Sequence, residues 1–337
     1  MKSKQYFFHQ LNLLKVLKIA LGALIASFLA DWLSIAYNTS AGVITILSIQ
    51  NTKRETLLVV GKRIGAFFLA CFLAYFSFSL LGYNVMAIGL FLLLFALVCN
   101  LFSLQDALVM DTVLMLHFYA EQSMSFAWIK NELFLLFIGT GVGVLMNAYM
   151  PGNVKIIREN QRELEVTIRE ILHQMSALIR KKDKDCLEGV LELLKMLDDK
   201  LNKMTIWAYE EHDNTLMSDN RYFIKYVELR KNQSFVLKKL YKNIHLLDTV
   251  PTQAILVADY IETISQTFHE HNNGEKLKRQ LESIQEKMKG ELLPTTRTEF
   301  ENRAILYRIL YDLEEFLQLK IQFVTALTEK EIQRFWK

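Results

Sequence analysis

Charged residues are distributed very unevenly along this chain, and the change comes at Pro151. Only nine of the 39 lysines and arginines and six of the 36 aspartates and glutamates precede that proline. The first part therefore consists of long apolar runs, which a lipid bilayer requires and a soluble domain does not. We predict an all-α protein with a transmembrane domain over residues 1–150 and a soluble helical domain over residues 151–337.

The small overall charge argues against a nucleic acid partner. The formal net charge is +3, and the second part has equal numbers of cations and anions, so no basic surface is available for phosphates. Cys71, Cys99 and Cys186 predict free thiols in a reducing compartment rather than a disulfide framework. The apolar run after Lys15 and Lys18 is typical of a retained span, so no cleavable signal peptide is predicted.

Six apolar segments are candidates for membrane spans. A helix needs about 20 residues to cross about 30 Å of hydrocarbon. Residues 41–50 form about half a span, so we expect this segment either to continue into the polar residues 51–55 or to stop within the membrane. The other five segments are residues 19–36, 64–81, 85–101, 107–119 and 133–149.

Six passes place both termini on one side, and the cations predict that this side is the cytoplasm. The loops on the opposite side contain a single cation, Lys130. Five passes would instead put either the basic N-terminus or the whole tail outside. We therefore predict a multi-pass protein of the cytoplasmic membrane with both termini inside. The cations on the predicted inner side are Lys2, Lys4, Lys15, Lys18, Lys53, Arg54, Lys62, Arg63, Lys155 and Arg158.

After Pro151 the apolar residues recur at helical spacing with polar residues between them. This pattern predicts amphipathic helices over residues 164–179, 187–204, 222–247 and 305–325. Pro251 and Pro294 lie between the periodic runs, where a proline can start or connect helices. We predict an antiparallel helical bundle of about five helices.

Motifs for catalysis and cofactor binding are missing from the sequence. It has no phosphate-binding loop, dinucleotide turn, Cys-x-x-Cys pair or nucleophile elbow, so we predict no enzyme activity, no cofactor and no metal site. The histidine cluster His269-Glu270-His271 is a poor metal site, because its imidazoles would project about 200° apart on a helix. We expect a solvated helix end there. A transporter of this kind would be a channel or an ion-driven carrier.

The strongest local signal is the short apolar segment, because it ends in Gln50, Asn51 and Thr52 followed by Lys53 and Arg54. Interrupted spans mark binding sites in transporters, since free backbone groups are tolerated there only beside protein or a water-filled cavity. Cations at such a position attract anionic solutes. The alternative is an ordinary cytoplasmic loop whose two cations merely follow the positive-inside rule.

Two pairs of glycines have the spacing that lets membrane helices approach closely. Gly61 and Gly65 form the first pair, and Gly139 and Gly143 form the second. We interpret both pairs as helix-packing positions. Arg63, between the first two glycines, either extends to the lipid headgroups or points into a cavity.

Asp111 and His117 are ionisable residues of a predicted span and therefore functional candidates. They lie six residues apart, which places them about 120° apart around a helix. An imidazole changes protonation near neutral pH, as proton-coupled export requires. The alternative is simple placement at the membrane interfaces, because both residues lie near the ends of a short span.

Three motifs occur in a recognisable order: residues 40–54, then Gly61-Lys62-Arg63-Ile64-Gly65, then residues 139–151 ending in Asn147-Ala148-Tyr149-Met150-Pro151. With the layout of spans before a helical tail, they resemble the bacterial aromatic acid exporter family over essentially the whole chain. That family belongs to the fusaric-acid-resistance-like superfamily, which includes plant aluminium-activated malate channels. One departure is Gly65-Ala66 where the family often has Gly-Thr, which removes a hydroxyl.

The resemblance implies export of organic anions, aromatic carboxylates among them, by a dimer whose subunits jointly enclose the pathway. Our main hypothesis is a homodimeric permease in the lipid bilayer, with a small organic anion as its partner. A basic cytoplasmic vestibule would contain Lys53, Arg54, Lys62 and Arg63, and Gln50, Asn51 and Thr52 would offer neutral donors deeper in. The alternative is a membrane-anchored dimeric scaffold or sensor whose helical tail binds a partner or ligand.

Overall fold

The computed structural model describes residues 13–150, 152–181, 184–215, 221–247 and 252–336. Over these residues every regular element is a helix, which confirms the predicted all-α class. They divide into two compact units, residues 13–150 with 213–215 and residues 152–212 with 221–336, each with its own apolar core. Lys2, Lys4, Pro151, Pro251 and the side chain of Cys186 lie outside the described residues.

The N-terminal unit contains six helices over residues 13–150, one for each predicted apolar segment. The second is short, with 11 residues, and packs against the first and the sixth. The helices are α1 (Leu13–Trp32), α2 (Asn38–Ser48), α3 (Lys53–Leu81), α4 (Val85–Leu101), α5 (Gln105–Ala120) and α6 (Phe126–Ala148).

The break between α2 and α3 shows that the short segment does not continue as one helix into residues 51–55. Helix α2 ends at Ser48, and a new helix begins at Lys53. Thr52 is the N-cap of α3, because its Oγ1 accepts a hydrogen bond from the backbone N–H of Glu55 at 3.2 Å. The cations from Lys53 to Arg63 therefore lie on a helix that starts well before the predicted span at residue 64.

Three helices, α1, α3 and α6, are long and apolar enough to cross a membrane. The helices α4 and α5 have 17 and 16 residues, and α2 is shorter still, so the count of six crossings stays a prediction. Large apolar side chains point outward from these helices, among them Phe28, Phe72 and Leu93, each about 70% exposed. Outward apolar faces suit contact with lipid chains. Cys71 and Cys99 are free thiols.

The C-terminal unit contains seven helices over its described residues, two more than the sequence predicted. Residues 252–267 and 275–289 form separate helices that the apolar periodicity did not predict, and a short helix follows residue 328. Pro294 lies between two helices. The helices are α7 (Val154–Lys181), α8 (Lys184–Asn214), α9 (Tyr222–His245), α10 (Thr252–Thr267), α11 (Glu275–Lys289), α12 (Arg297–Thr325) and α13 (Glu329–Phe335).

Candidate functional site

Arg63 caps the C-terminal end of the short helix α2 inside the N-terminal unit. Its side chain is buried, with 4% of the residue exposed. One terminal nitrogen donates to Ser48 Oγ at 2.9 Å and the other to the Leu47 carbonyl at 3.0 Å, while Nε donates to the Asp106 carbonyl at 3.2 Å. A cation is favoured at a helix C-terminus, where carbonyl groups lack helical partners. Arg63 therefore stabilises a helix that ends in the interior.

A second polar group lies just beyond this helix end. The Asn147 amide donates to the Gln50 carbonyl at 3.0 Å and to Thr56 Oγ1 at 2.6 Å. Thr52 serves as the cap of α3, and the exposed Asn51 accepts a hydrogen bond from Lys15 at 2.6 Å. The polar residues after α2 are thus engaged within the chain, and they fix the connection between α2 and α3.

The N-terminal end of α2 carries a different cluster, centred on His117 of α5. Its Nδ1 lies 2.7 Å from Glu132 Oε2 of α6, and its Nε2 lies 3.3 Å from Ser40 Oγ of α2. The Tyr37 ring stacks on the imidazole with centroids 4.0 Å apart, and the Asn131 amide donates to Glu132 Oε1 at 3.0 Å. This cluster can hold a proton between an imidazole and a carboxylate.

The sequence pattern indicates His117 as a functional candidate but not Glu132, which is fully buried. One signal could have found it. Glu132 precedes the buried Leu135 and Leu136 by three and four residues, so these positions share one face of a helix. A carboxylate on the buried face of an apolar helix is a functional candidate.

Asp111 lies on the same helix as His117 but does not join its cluster. The residue is fully buried, and neither carboxylate oxygen has a hydrogen-bond partner. Their separation of six residues corresponds to about 9 Å along the helix axis. The two candidates for proton coupling therefore have separate environments. His117 is paired with Glu132, whereas the Asp111 carboxylate has no hydrogen bond.

The remaining cations are more accessible than Arg63. The Arg54 side chain is 58% exposed, and that of Lys62 is 41% exposed with its Nζ 3.4 Å from Asp106 Oδ2. Lys62 also lines a groove of about 750 Å³ on the surface of the unit. The groove is otherwise lined by Leu57, Leu58, Gly61, Gly65, Leu69, Phe102 and Leu104.

The two glycine pairs have different surroundings. A Cβ at Gly139 would lie 2.5 Å from Ile44 Cβ, and one at Gly143 would lie 2.7 Å from Ser48 Cβ, so α6 and α2 are in close contact there. A Cβ at Gly61 or Gly65 would meet no atom within 4 Å. The second pair thus packs within the chain, and the first pair leaves an open face on α3.

The histidine cluster of the C-terminal unit differs from the expected solvated helix end. His269 and His271 are exposed, but Glu270 is only 9% exposed. Its carboxylate accepts hydrogen bonds from Arg158 and from the Tyr222 hydroxyl, so the expectation was wrong for this residue. Within the part of the chain that the structure describes, no group of three His, Cys, Asp or Glu residues could hold a metal ion.

Comparison with known proteins gives matches over both units. Residues 13–150 match the family model "Aromatic acid exporter family member 1", and residues 155–321 match "Putative aromatic acid exporter C-terminal domain". The chain is 27% identical over 319 residues to "Uncharacterized protein YqjA" of Bacillus subtilis (strain 168), covering 94% of this chain and 98% of the relative. The crystal structure of a putative membrane protein from Clostridium difficile 630 is 31% identical, with a TM-score of 0.44 over 50% of this chain and 99% of that one.

Proposed function

The chain belongs to the aromatic acid exporter family, and on that premise we propose that it is a homodimeric permease for small organic anions, aromatic carboxylates among them. Family membership confirms the resemblance inferred from the motifs and supports a multi-pass membrane exporter. The substrate class, the dimer, the basic vestibule and the cytoplasmic orientation of both termini are parts of the proposal.

The proposed substrate class rests on the groove along α3. Its volume of about 750 Å³ is sufficient for a small organic molecule. Lys62 is the charged residue of its lining, and the other lining residues are apolar side chains or glycines. Such a surface suits an amphipathic anion, because an aromatic ring can contact Leu69 and Phe102 while the carboxylate approaches the ammonium group.

The start of α3 would supply the basic vestibule. Arg54, Leu58, Gly61 and Gly65 are spaced by four, three and four residues, so they share one stripe of the helix. This places the exposed guanidinium of Arg54 on the same stripe as the groove, about 12 Å along the axis from Lys62. Arg54, Lys53 and Lys62 would attract the anion, whereas Arg63 would fix the end of α2 beside the pathway.

A second copy of the chain would close the groove. A Cβ at Gly61 or Gly65 would meet no atom of its own chain within 4 Å, and the spacing of the two glycines allows a neighbouring helix to approach closely. Two copies related by a twofold axis would bring two such faces together. The pathway would then lie between the subunits, with a lysine from each.

The interior polar residues would supply proton coupling. His117 and Glu132 form a buried pair that can exchange a proton, and the Asp111 carboxylate is buried nearby on the same helix. A transporter without a nucleotide-binding motif takes its energy from an ion or solute gradient. We propose that protonation of this group alternates during export.

Flux of labelled benzoate into proteoliposomes tests the proposal. Lys62→Ala should slow saturable flux by about tenfold, the equivalent of ~1.4 kcal/mol, because the carboxylate loses its counter-charge. Lys62→Arg should retain most of the flux. The matched control is Lys130→Ala on α6, where the ammonium lies over the Phe134 ring, 5.6 Å from its centroid, and this variant should transport normally.

Two outcomes would count against the proposal in different ways. Wild-type flux in Lys62→Ala would show that the groove does not carry the anion. The absence of carboxylate flux from correctly assembled wild-type protein would favour the scaffold or sensor, which the close contact of α2 with α6 also suits.

A further inference from the structure

The C-terminal unit contains two buried cations around one small cavity. Arg230 of α9 is fully buried and Lys320 of α12 is 5% exposed. Both line a cavity of about 20 Å³ that reaches the surface near the exposed His269 and the half-buried Asn272. This volume is enough for about one or two water-sized groups.

One of the three guanidinium nitrogens of Arg230, Nε, has no hydrogen-bond partner. Its terminal nitrogens donate to Gln233 Oε1 at 2.7 Å and to Glu165 Oε1 at 3.0 Å, and its guanidinium lies over the rings of Tyr226 and Phe268. The Nε atom is buried and has no hydrogen-bond partner. Buried donors are nearly always paired, so this N–H points to a missing acceptor.

Lys320 is similarly under-satisfied. Its ammonium donates to the backbone carbonyl of Glu270, although it has three N–H donors. The rings of Phe323 and Trp336 lie 5.2 Å from Nζ. It forms no ion pair with a carboxylate of the described residues. A buried ammonium without a counter-ion is costly.

The charges that act on Lys320, counted with the Arg158 that pairs with Glu270, do not balance. Arg158, Arg230 and Lys320 contribute three positive charges, and Glu165 and Glu270 contribute two negative charges. Each carboxylate is already shared with an arginine and a tyrosine hydroxyl. One positive charge is therefore left without a partner when Lys320 is protonated.

We propose that this cavity is a binding site for a small monovalent anion, held by Lys320 Nζ and the unpartnered Nε of Arg230. One negative charge would neutralise the cluster, and one acceptor would satisfy both donors. The volume admits chloride or the carboxylate of formate and leaves no room for an aromatic ring. The site lies entirely within the C-terminal unit and is independent of the transported substrate.

Binding should depend on pH. Burial, together with the charge of Arg230, lowers the pKa of Lys320 to about 7, so the ammonium form that binds the anion is lost above that pH. An anion would in turn favour the protonated lysine. The charged and titratable groups that face this region from the neighbouring elements are Arg230 on α9, Glu165 on α7, and His269, Glu270 and His271 after α10.

The test is the thermal unfolding of the full-length protein in detergent, titrated with sodium formate or sodium chloride against sodium gluconate at constant ionic strength. Formate or chloride should raise the transition temperature in a saturable manner at pH 6. The apparent affinity should fall at least about tenfold by pH 8.5. The arm with the tighter binding identifies the anion as carboxylate or halide.

Lys320→Met should remove the saturable effect, and Lys278→Met, which changes a half-buried lysine on α11, should preserve it. If Lys320→Met does not fold, the pH dependence of anion affinity in the wild-type protein tests whether Lys320 binds the anion. The proposal is overturned if formate and chloride act no differently from gluconate. It is also overturned if affinity is independent of pH, or if benzoate binds at the Lys320-dependent site more tightly than formate.

Discussion

His117 Nδ1 lies 2.7 Å from Glu132 Oε2, and both side chains are buried within the N-terminal unit. The pair joins α5 to α6 and contacts Ser40 near the start of α2. At the other end of α2, the Arg63 guanidinium contacts Ser48 and Leu47. A short helix is thus held at its N-terminal end by a pair containing a carboxylate and at its C-terminal end by a cation, the arrangement that the helix dipole favours.

Glu132→Gln should weaken the N-terminal unit, because it replaces a charge-assisted hydrogen bond with a neutral one. We expect the free energy of unfolding to fall by about 1 kcal/mol, the difference between a charge-assisted and a neutral hydrogen bond, measured by denaturation in detergent. Glu121→Gln is the control, since this exposed carboxylate accepts a hydrogen bond from Tyr37 at the edge of the same cluster. It should cost less than about 0.5 kcal/mol. Equal losses in the two variants would contradict a special role for the buried pair.

Gly139→Ala should destabilise the packing of α6 on α2, because the new Cβ would lie 2.5 Å from Ile44 Cβ and 2.7 Å from the Ala41 carbonyl. The expected cost is about 1–3 kcal/mol, seen as a lower unfolding temperature. Gly141→Ala is a matched control on the same helix, since its Cβ would meet no atom within 4 Å. That variant should be neutral or gain up to about 1 kcal/mol from helix propensity. A stable Gly139→Ala protein would mean that α2 and α6 are further apart than described.

Local patterns in the sequence predicted the six helices of the N-terminal unit and four of the seven helices described in the C-terminal unit, because helical periodicity and apolar length depend on neighbouring residues. The contacts that build the candidate site depend on how helices meet. Arg63 hydrogen-bonds to a carbonyl 16 residues away, and His117 pairs with Glu132 15 residues away. Neither pairing follows from spacing alone. Likewise, the glycine spacing predicted that Gly139 lies at a helix contact. Only the structure shows that Gly65 has open surroundings within its own chain.

Gly65→Leu should disrupt the proposed dimer while leaving the protomer folded. A Cβ at this position would meet no atom of its own chain within 4 Å, and the larger leucine side chain would hold two facing helices apart. Light scattering in detergent should show a shift from dimer to monomer. Gly89→Leu on α4 is the control, because a Cβ there also meets no atom. A dimeric Gly65→Leu protein would place the subunit contact elsewhere.

Glu165→Gln should strongly destabilise the C-terminal unit, because it leaves the fully buried Arg230 without its carboxylate. Breaking a buried ion pair costs about 3–5 kcal/mol. The control is Glu315→Gln, which breaks the exposed pair with Lys239 and should cost less than about 1 kcal/mol. Urea denaturation followed by circular dichroism compares the two. Similar costs would indicate that the Arg230 charge is stabilised by other groups.

Lys320 should make the stability of the C-terminal unit rise with pH above neutrality in buffers of large anions. Burial lowers the pKa of its ammonium to about 7 in the folded protein, whereas an unfolded lysine titrates near pH ~10.4. Between these values the unfolded chain binds the extra proton, so the free energy of unfolding increases with pH. Below pH 7, Lys320 is protonated in both the folded and the unfolded protein, so its contribution to the free energy of unfolding no longer changes with pH. Urea denaturation at pH 7 and pH 9 should show that wild-type protein gains on the order of 2 kcal/mol relative to Lys320→Met. Subtracting the free energy of unfolding of the variant removes the contribution of other titrating groups. If the difference between the two proteins is the same at pH 7 and pH 9, Lys320 is hydrated in the folded state.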